Sequence, residues 1–322
     1  MRLVILGAGA IGGVVAGYLS RAHRDVLLLA RGEHLAAIRA NGLRVEAPDG
    51  GFTARVAVAD PQAPIAWRDD DVVIVAVKTQ DVAGALRDLG APARVPIVCM
   101  TNGLEAERIA LRHSREVYGA CVLMPASYLV PGTVQVWAAP VPGLFDLGRY
   151  PDGTDRADAI AGELIAAGFD VEVRPQVMKW KRGKLLANLA NGAEAISGNA
   201  ARLSVLAERA KAEGRACYAA ANLSCITEAE DAARRTALEI MPIDGAKRPG
   251  GSTWQSLARG RVALETDYLN GEIVLLGRLH GVATPVNEAL QELAAEAART
   301  RAAAGALPLA ELIAKVEARS RA

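Results

Sequence analysis

Leu3-Val4-Ile5-Leu6-Gly7-Ala8-Gly9-Ala10-Ile11-Gly12 is four apolar residues running into a glycine-rich turn, and an alanine- and valine-rich segment follows to about Ala22. The apolar run predicts a buried strand and the segment after the turn a helix. Each glycine has a separate task. Gly7 lets the chain turn tightly out of the strand, Gly9 removes a side chain that would hold backbone amides away from phosphates, and Gly12 lets the helix pack close to the strand. A pyrophosphate then sits on the helix amino terminus, where unpaired N–H groups and the helix dipole favour negative charge. A second apolar run, Val26-Leu27-Leu28-Leu29, completes a strand-turn-helix-strand context. In that context Gly7, Gly9, Ala10, Ile11 and Gly12 read as a dinucleotide cradle; the competing reading is a structural glycine turn.

The residue closing the second strand discriminates between nicotinamide cofactors. An acid there accepts hydrogen bonds from the adenosine ribose 2′-hydroxyl and repels a 2′-phosphate. Here Arg31 stands at that place, followed by Gly32 and with Arg39 further on. A guanidinium holds a phosphate dianion bidentately, so the expected cofactor is NADP(H). The alternative for Arg31 is an ordinary solvated loop arginine.

At 322 residues the chain exceeds what one core usually organises, and two domains are expected. Lys plus Arg total 37 against 36 acids, a net charge of +1. No global field would recruit nucleic acid or an anionic membrane, which points to a small-molecule partner. No apolar run approaches the roughly 20 residues of a membrane span, and no signal-like segment precedes the glycine turn. A cytoplasmic protein is expected. Cys99, Cys121, Cys217 and Cys225 lack metal-site spacing, so reduced thiols and no metal are expected. None of the four histidines, His23, His34, His113 and His280, falls in a recognisable catalytic setting.

The first half alternates β-rich and helical runs: Val72 to Ala76, a helix near Val82 to Asp88, Val95 to Cys99, a helix from Leu104, and Val117 to Leu123. That is the doubly wound α/β pattern. Between Val130 and Leu147, Pro/Gly-punctuated segments suggest antiparallel strands extending the sheet edge. A helix at about Arg156 to Ala167 and a strand at Asp170 to Val173 finish this half. From Val177 the text reads as helices only: Val177 to Gly198, Leu203 to Leu223, Glu228 to Met241, Leu264 to Leu279, Val286 to Ala303 and Leu309 to Arg319. The fold class is therefore α/β, a Rossmann-type doubly wound sheet over residues 1–174 followed by an all-helical domain over 175–322.

Open α/β sheets bind ligands at the carboxyl ends of their strands. Lys78 follows the Val72 strand and Asn102-Gly103 follows the Val95 strand, so both belong to the rim of the dinucleotide crevice, or else to surface turns. In the predicted helix from Val177, Trp180, Lys184, Asn188 and Asn191 recur at spacings of four, four and three and line one stripe, with Leu185, Leu186 and Leu189 on the opposite flank. Asparagine is a poor helix former, so two beside a lysine imply hydrogen-bonding duties. The alternative is a solvated basic face shared with Lys179, Lys181 and Arg182. Further on, Ser252 either binds a substrate carboxylate or caps the local helix, and Glu265 either meets a ligand or opens a helix whose dipole favours an acid there.

Together these stretches resemble the ketopantoate reductase (2-dehydropantoate 2-reductase) family. The likeness runs nearly end to end: the glycine turn with Arg31, Val77-Lys78-Thr79, Asn102-Gly103, Lys184 with Asn188, Ser252 to Asn270, and His280-Gly281 through Pro285-Val286-Asn287. It implies a Rossmann domain joined to a helical domain with the active site in the cleft. Lys184 would then be the general acid, Asn188 a substrate ligand, and Ser252 and Glu265 ligands of the substrate and its hydroxyl, with Glu265 a catalytic and cofactor-side candidate. Lys78 and Asn102 would lie at the cofactor and active-site edge. Two departures stand on the substrate side. The family's second asparagine, four residues beyond the first, is Gly192 here, with Asn191 one step round the helix. One residue is also added between Arg259-Gly260-Arg261 and Glu265, which would turn Glu265 by about 100° inside a regular helix and which a loop would absorb.

The expected activity is NADPH-dependent reduction of a 2-oxo acid, ketopantoate first. The alternatives are a paralogous reductase of another 2-oxo acid and a non-catalytic NADP(H) sensor. A homodimer through the helical half is the one macromolecular partnership left open.

Overall fold

The computed structural model describes residues 1–320. The chain runs β1 (Arg2–Leu6), α1 (Ala10–Arg21), β2 (Val26–Leu29), α2 (Gly32–Asn41), β3 (Leu43–Glu46), β4 (Phe52–Ala54), β5 (Ala57–Ala59), β6 (Asp71–Val75), α3 (Val82–Leu89), β7 (Ile97–Cys99), α4 (Ala106–Ala110), β8 (Val117–Leu123), β9 (Ala126–Ser127), β10 (Thr133–Val136), β11 (Leu144–Arg149), α5 (Ala157–Ala166) and β12 (Asp170–Val173). Helices follow: α6 (Val177–Asn188), α7 (Asn191–Ser197), α8 (Val205–Ala220), α9 (Glu228–Arg235), α10 (Ser252–Ala258), α11 (Asn270–His280), α12 (Pro285–Arg299) and α13 (Leu309–Arg319). The chain forms two compact units, Met1–Lys181 with Glu228–Arg248, and Arg182–Thr227 with the chain from Pro249 onward. The division falls within α6 rather than at Arg174, and residues 228–248 belong with the amino-terminal unit instead of the helical one.

In the first unit an eight-stranded sheet is ordered β12-β11-β8-β7-β6-β1-β2-β5. Strand order reverses between β1 and β6, which pair in parallel with Leu6 opposite Val75. That is the topological switch point of a doubly wound sheet, where its crevice opens. Burial explains the continuous apolar runs: Leu3 and Ile5 enter one core, Val4 and Leu6 the other.

A second, four-stranded sheet of order β4-β3-β10-β9 was not expected. Its strands are two to four residues long, too short for period-two alternation to register. The region from Val130 to Leu147 therefore splits. β11 joins the main sheet antiparallel to β8, as expected for an edge extension, whereas β10 leaves it and pairs parallel with β3. Helix α1 lies between the two sheets and small residues allow it: a Cβ on Gly13 would meet Val134 Cγ1 at 2.7 Å, and one on Gly17 would meet Val45 Cγ2 at 2.5 Å.

The predicted helix over Glu228 to Met241 ends at Arg235, and Ile240 instead bridges antiparallel to Ala138. Arg234 anchors this returning segment. Its Nε lies 3.2 Å from Asp146 Oδ1 and its Nη2 3.0 Å from Asp170 Oδ1, with Arg174 Nε also 2.9 Å from Asp146 Oδ1. Burial pushes the Asp146 carboxyl up and the two guanidiniums pull it back.

In the second unit the predicted helix over Val177 to Gly198 is broken at Leu189-Ala190. The Leu189 carbonyl, due to accept from an amide one turn on, accepts instead from Asn270 Nδ2 at 3.0 Å. A new helix then starts, with Glu194 N donating to Ala190 O. Asn270 Nδ2 also donates to Asn287 Oδ1, and Glu213 takes the amides of Val286 and Asn287 at 2.9 and 3.0 Å, capping α12.

Candidate active site

Gly7 has φ +111°, a conformation that side chains rarely adopt. A Cβ on Gly12 would collide with the Gly7 carbonyl and press on Ile5, so that glycine serves the approach of α1 to β1. Gly9 differs from both. Its φ is −71°, open to any residue, and among the described residues a Cβ built on it meets no atom within 4 Å beyond its own chain neighbours and helix backbone. Nothing internal demands glycine there, so the demand comes from something outside the chain that must approach the backbone. Gly9 is also the N-cap of α1, a 12-residue helix with no side-chain cap bond, and such a helix amino terminus favours an anion. The residues fit a dinucleotide pyrophosphate.

Parallel register brings the other first-unit candidates to the same edge. Leu6 pairs with Leu29 and Val75, and Val75 with Cys99, so Gly7, Ala30-Arg31, Ala76 to Lys78 and Met100 to Asn102 all emerge together. A Cβ on Gly7 would touch Val77 at 2.8 Å, and Thr79 Oγ1 donates to the Asn102 carbonyl at 2.9 Å. Lys78 and Asn102 are half-buried. Arg31 is exposed at the N-cap of α2, with Glu33 on the first turn. Arg39 lies in the last turn of α2, about 12 Å along the axis from Arg31. It does not share Arg31's position.

Second-unit candidates lie on α6 and on the elements that follow it. Lys184 and Asn188 lie one turn apart on α6, both half-buried, with Leu185, Leu186 and Leu189 buried on the other flank. The stripe does not continue to Asn191, which stands beyond the break. Asn191 Oδ1 accepts from Arg202 Nη1 at 2.8 Å, and the same nitrogen pairs with Glu194 Oε2 at 2.7 Å. Glu194 in turn accepts the Gly251 amide at 3.0 Å. Gly251 is the N-cap of α10 with no side-chain cap bond, so Ser252 is the first helical residue and not the cap. Glu265, 3% exposed, opens a 3-10 turn (Glu265–Tyr268), and the helix beyond it begins only at Asn270. The added residue before Glu265 falls in the irregular stretch after α10, where Gly260 has φ +67° and Val262 is exposed. A loop absorbs it. Gly192 faces the same turn: its Cβ would lie 3.4 Å from Thr266 Cγ2 and 3.5 Å from Asn270 Oδ1.

The solvated basic face is not present as such. Lys181, 3% exposed, pairs with Glu107, which is wholly buried. Burial raises the Glu107 carboxyl while the ammonium opposes it. Arg182 Nε donates to Ser224 O, and Trp180 lies under the Arg174 guanidinium at 4.0 Å. Two contributors escaped the sequence reading. Thr79 ties the Lys78 and Asn102 loops, and His34 binds Ala8 O within the glycine turn. Their partners are backbone groups remote in sequence, which leave no side-chain pattern.

The family profile described as Ketopantoate reductase PanE/ApbA matches residues 3–151, and its C-terminal companion matches residues 176–298. The chain belongs to this family. It is thereby a nicotinamide-dependent oxidoreductase. Among its relatives, a 2-dehydropantoate 2-reductase of Halobacterium salinarum is 31% identical, covering 91% of this chain and 97% of the relative. One from Pyrococcus horikoshii is 27% identical over 89% of this chain and 94% of its own. The PanE/ApbA family ketopantoate reductase of Ralstonia eutropha superposes with a TM-score of 0.78 at 28% identity, covering 94% and 99% of the two chains. A D-mandelate dehydrogenase bound to NADH and anilino(oxo)acetate shares the fold, with a TM-score of 0.80 at 22% identity over 94% and 99%. Among the described residues no helix is long and apolar enough to cross a membrane.

Proposed function

We propose that the protein reduces a 2-oxo acid with NADPH, with 2-dehydropantoate, the substrate named for its relatives, as the first candidate and pantoate the product. The observation that carries the reading is the open face of Gly9 on a switch-point edge also bearing Arg31, Lys78 and Asn102. Arg31 supports the phosphorylated cofactor, since β2 ends without an acid and the guanidinium is exposed where a 2′-phosphate would be met.

When bound, the nicotinamide supplies a hydride to the ketone carbon. The chain must then stabilise the negative charge gathering on the ketone oxygen and deliver one proton to it. Lys184 takes that role as an ammonium, an electrostatic donor whose removal from such a site typically costs about 10²- to 10³-fold in turnover. Asn188, one turn along α6, and Asn102 orient the oxo acid. Ser252, whose hydroxyl is not spent on capping, and Glu265, held on its 3-10 turn, bind the substrate carboxylate and hydroxyl. Asn191 leaves this set, because its oxygen is engaged by Arg202.

A second reading is a reductase of a different 2-oxo acid, favoured by Gly192 beside the Glu265 turn. NADPH oxidation across ketopantoate and other branched and aromatic 2-oxo acids separates the readings by kcat/KM. Tight NADPH binding without turnover of any oxo acid would leave a sensor instead. With the preferred acid, Lys184→Ala should lower kcat by about 10²-fold or more and leave NADPH affinity nearly unchanged. Equal loss of both would remove Lys184 from the chemistry.

A further inference from the structure

His34 stands in the first turn of α2, three residues beyond Arg31, and the residue is 6% exposed. The Gly132 amide donates to Nδ1 at 2.8 Å, and Nε2 lies 2.8 Å from the Ala8 carbonyl. An amide can only donate, so Nδ1 is the acceptor and Nε2 carries the proton given to Ala8. Burial holds the ring below its ordinary pKa, against the pull of the Ala8 bond, consistent with that neutral tautomer. Tyr128 covers the ring at 4.4 Å, and Gly132 is itself fixed, its carbonyl accepting from Arg44 N at 2.9 Å.

Ala8 sits between two of the three cradle glycines. In a trans peptide the carbonyl of one residue and the N–H of the next point in opposite directions. Drawing the Ala8 carbonyl toward His34 therefore turns the Gly9 N–H away from His34. Without that restraint, the Ala8–Gly9 peptide, with glycine on its carboxyl side, flips readily and presents a carbonyl oxygen where an anion is to be bound. The same side chain belongs to the turn of α2 that Arg31 caps. We propose that His34 is a positioning residue for the dinucleotide, one ring that fixes the Gly9 amide direction and ties the glycine turn to the Arg31 end of α2. The proposal rests on the glycine turn being the pyrophosphate site.

Three variants of the full-length protein separate donor, acceptor and packing. His34→Gln reaches Ala8 O with an amide N–H, His34→Asn retains an acceptor for Gly132 without that reach, and His34→Phe keeps only the ring. NADPH dissociation constants are read by fluorescence, alongside kcat and KM for NADPH with the preferred 2-oxo acid and thermal midpoints. His34→Asn and His34→Phe should weaken NADPH by about tenfold or more, with kcat at saturating NADPH changed less than about threefold, and His34→Gln should recover most of the affinity. If His34→Phe does not fold, the Gln and Asn pair still decides. Affinity unchanged in all variants, or His34→Gln no better than His34→Asn, overturns the proposal. Gly9→Val distinguishes the two levels. If it binds NADPH as wild type does, the glycine-turn reading itself fails; if it loses binding while the His34 variants do not, only the role of His34 fails.

Discussion

Asn270 Nδ2 donates to the Leu189 carbonyl at 3.0 Å, and that bond divides a helix that propensity alone would have continued from Val177 to Gly198. Asn270 is wholly buried and its second amide hydrogen serves Asn287 Oδ1 at 2.9 Å. Asn270→Ala removes both bonds and leaves two buried acceptors bare, so unfolding free energy in urea should fall by about 2–4 kcal/mol. A loss under about 0.5 kcal/mol, the range of an ordinary surface change, would mean the break is set elsewhere.

Gly9 offers a test of the cradle that is insulated from folding. Because its φ is ordinary and a Cβ meets nothing within 4 Å, Gly9→Ala should keep stability within about 0.5 kcal/mol of wild type, or slightly above it. NADPH affinity should drop by about tenfold or more, since the methyl occupies the space the phosphates need. Calorimetric titration and thermal unfolding on the same sample give both numbers. Undiminished affinity would move the pyrophosphate elsewhere.

Arg31 governs cofactor choice in our reading. Arg31→Ala should weaken NADPH by about 10- to 100-fold, the scale of a lost charged hydrogen-bond pair, and leave NADH nearly untouched. Parallel weakening of both cofactors would show that Arg31 does not read the 2′-position.

The far end of the same strands sets an acid limit. Arg2 Nε and Nη2 reach Asp71 Oδ1 and Oδ2 at 2.6 and 2.7 Å, and Arg68 N adds a third bond at 2.7 Å. Burial pushes the Asp71 carboxyl up, but Arg2 and the Arg68 amide outweigh it and hold it below its ordinary 3.8. The native state therefore binds this proton less readily than the unfolded chain. The associated stability is complete above the unfolded value and is lost as pH falls below it through the lower folded value. Asp71→Asn should flatten the acid limb of stability between about pH 4 and 2, followed by circular dichroism, at a cost of about 1–3 kcal/mol near neutrality. An unchanged limb would assign the acid transition to other carboxylates.

The glycine turn, the strand endings and Lys78 and Asn102 were legible because each depends on residues adjacent in sequence. The parallel core strands declared themselves as unbroken apolar runs such as Val72 to Val75. The second sheet did not, since pairing such as Val45 with Val134 has no local signature in strands this short. The stripe through Lys184 was sound as far as Asn188 and failed at Asn191, where Asn270, 81 residues from Leu189, decides the backbone. Lys181 shows the same limit. The alternative of a solvated basic face included it, and its buried partner Glu107 lies 74 residues away. Whether the added residue before Glu265 lies in a helix was left open by sequence, and the stretch holding it is not helical.

The polypeptide passes between its two units three times, at 181/182, 227/228 and 248/249. No single cut in the gene can therefore release the nucleotide-gripping half intact. A fragment ending at Arg174 would strand Asp146 with one guanidinium in place of two and lose the Ile240 bridge to Ala138. Whoever wishes to express that half alone must graft residues 228–248 back onto it, and transplanting the helical half between homologues requires matching at three seams.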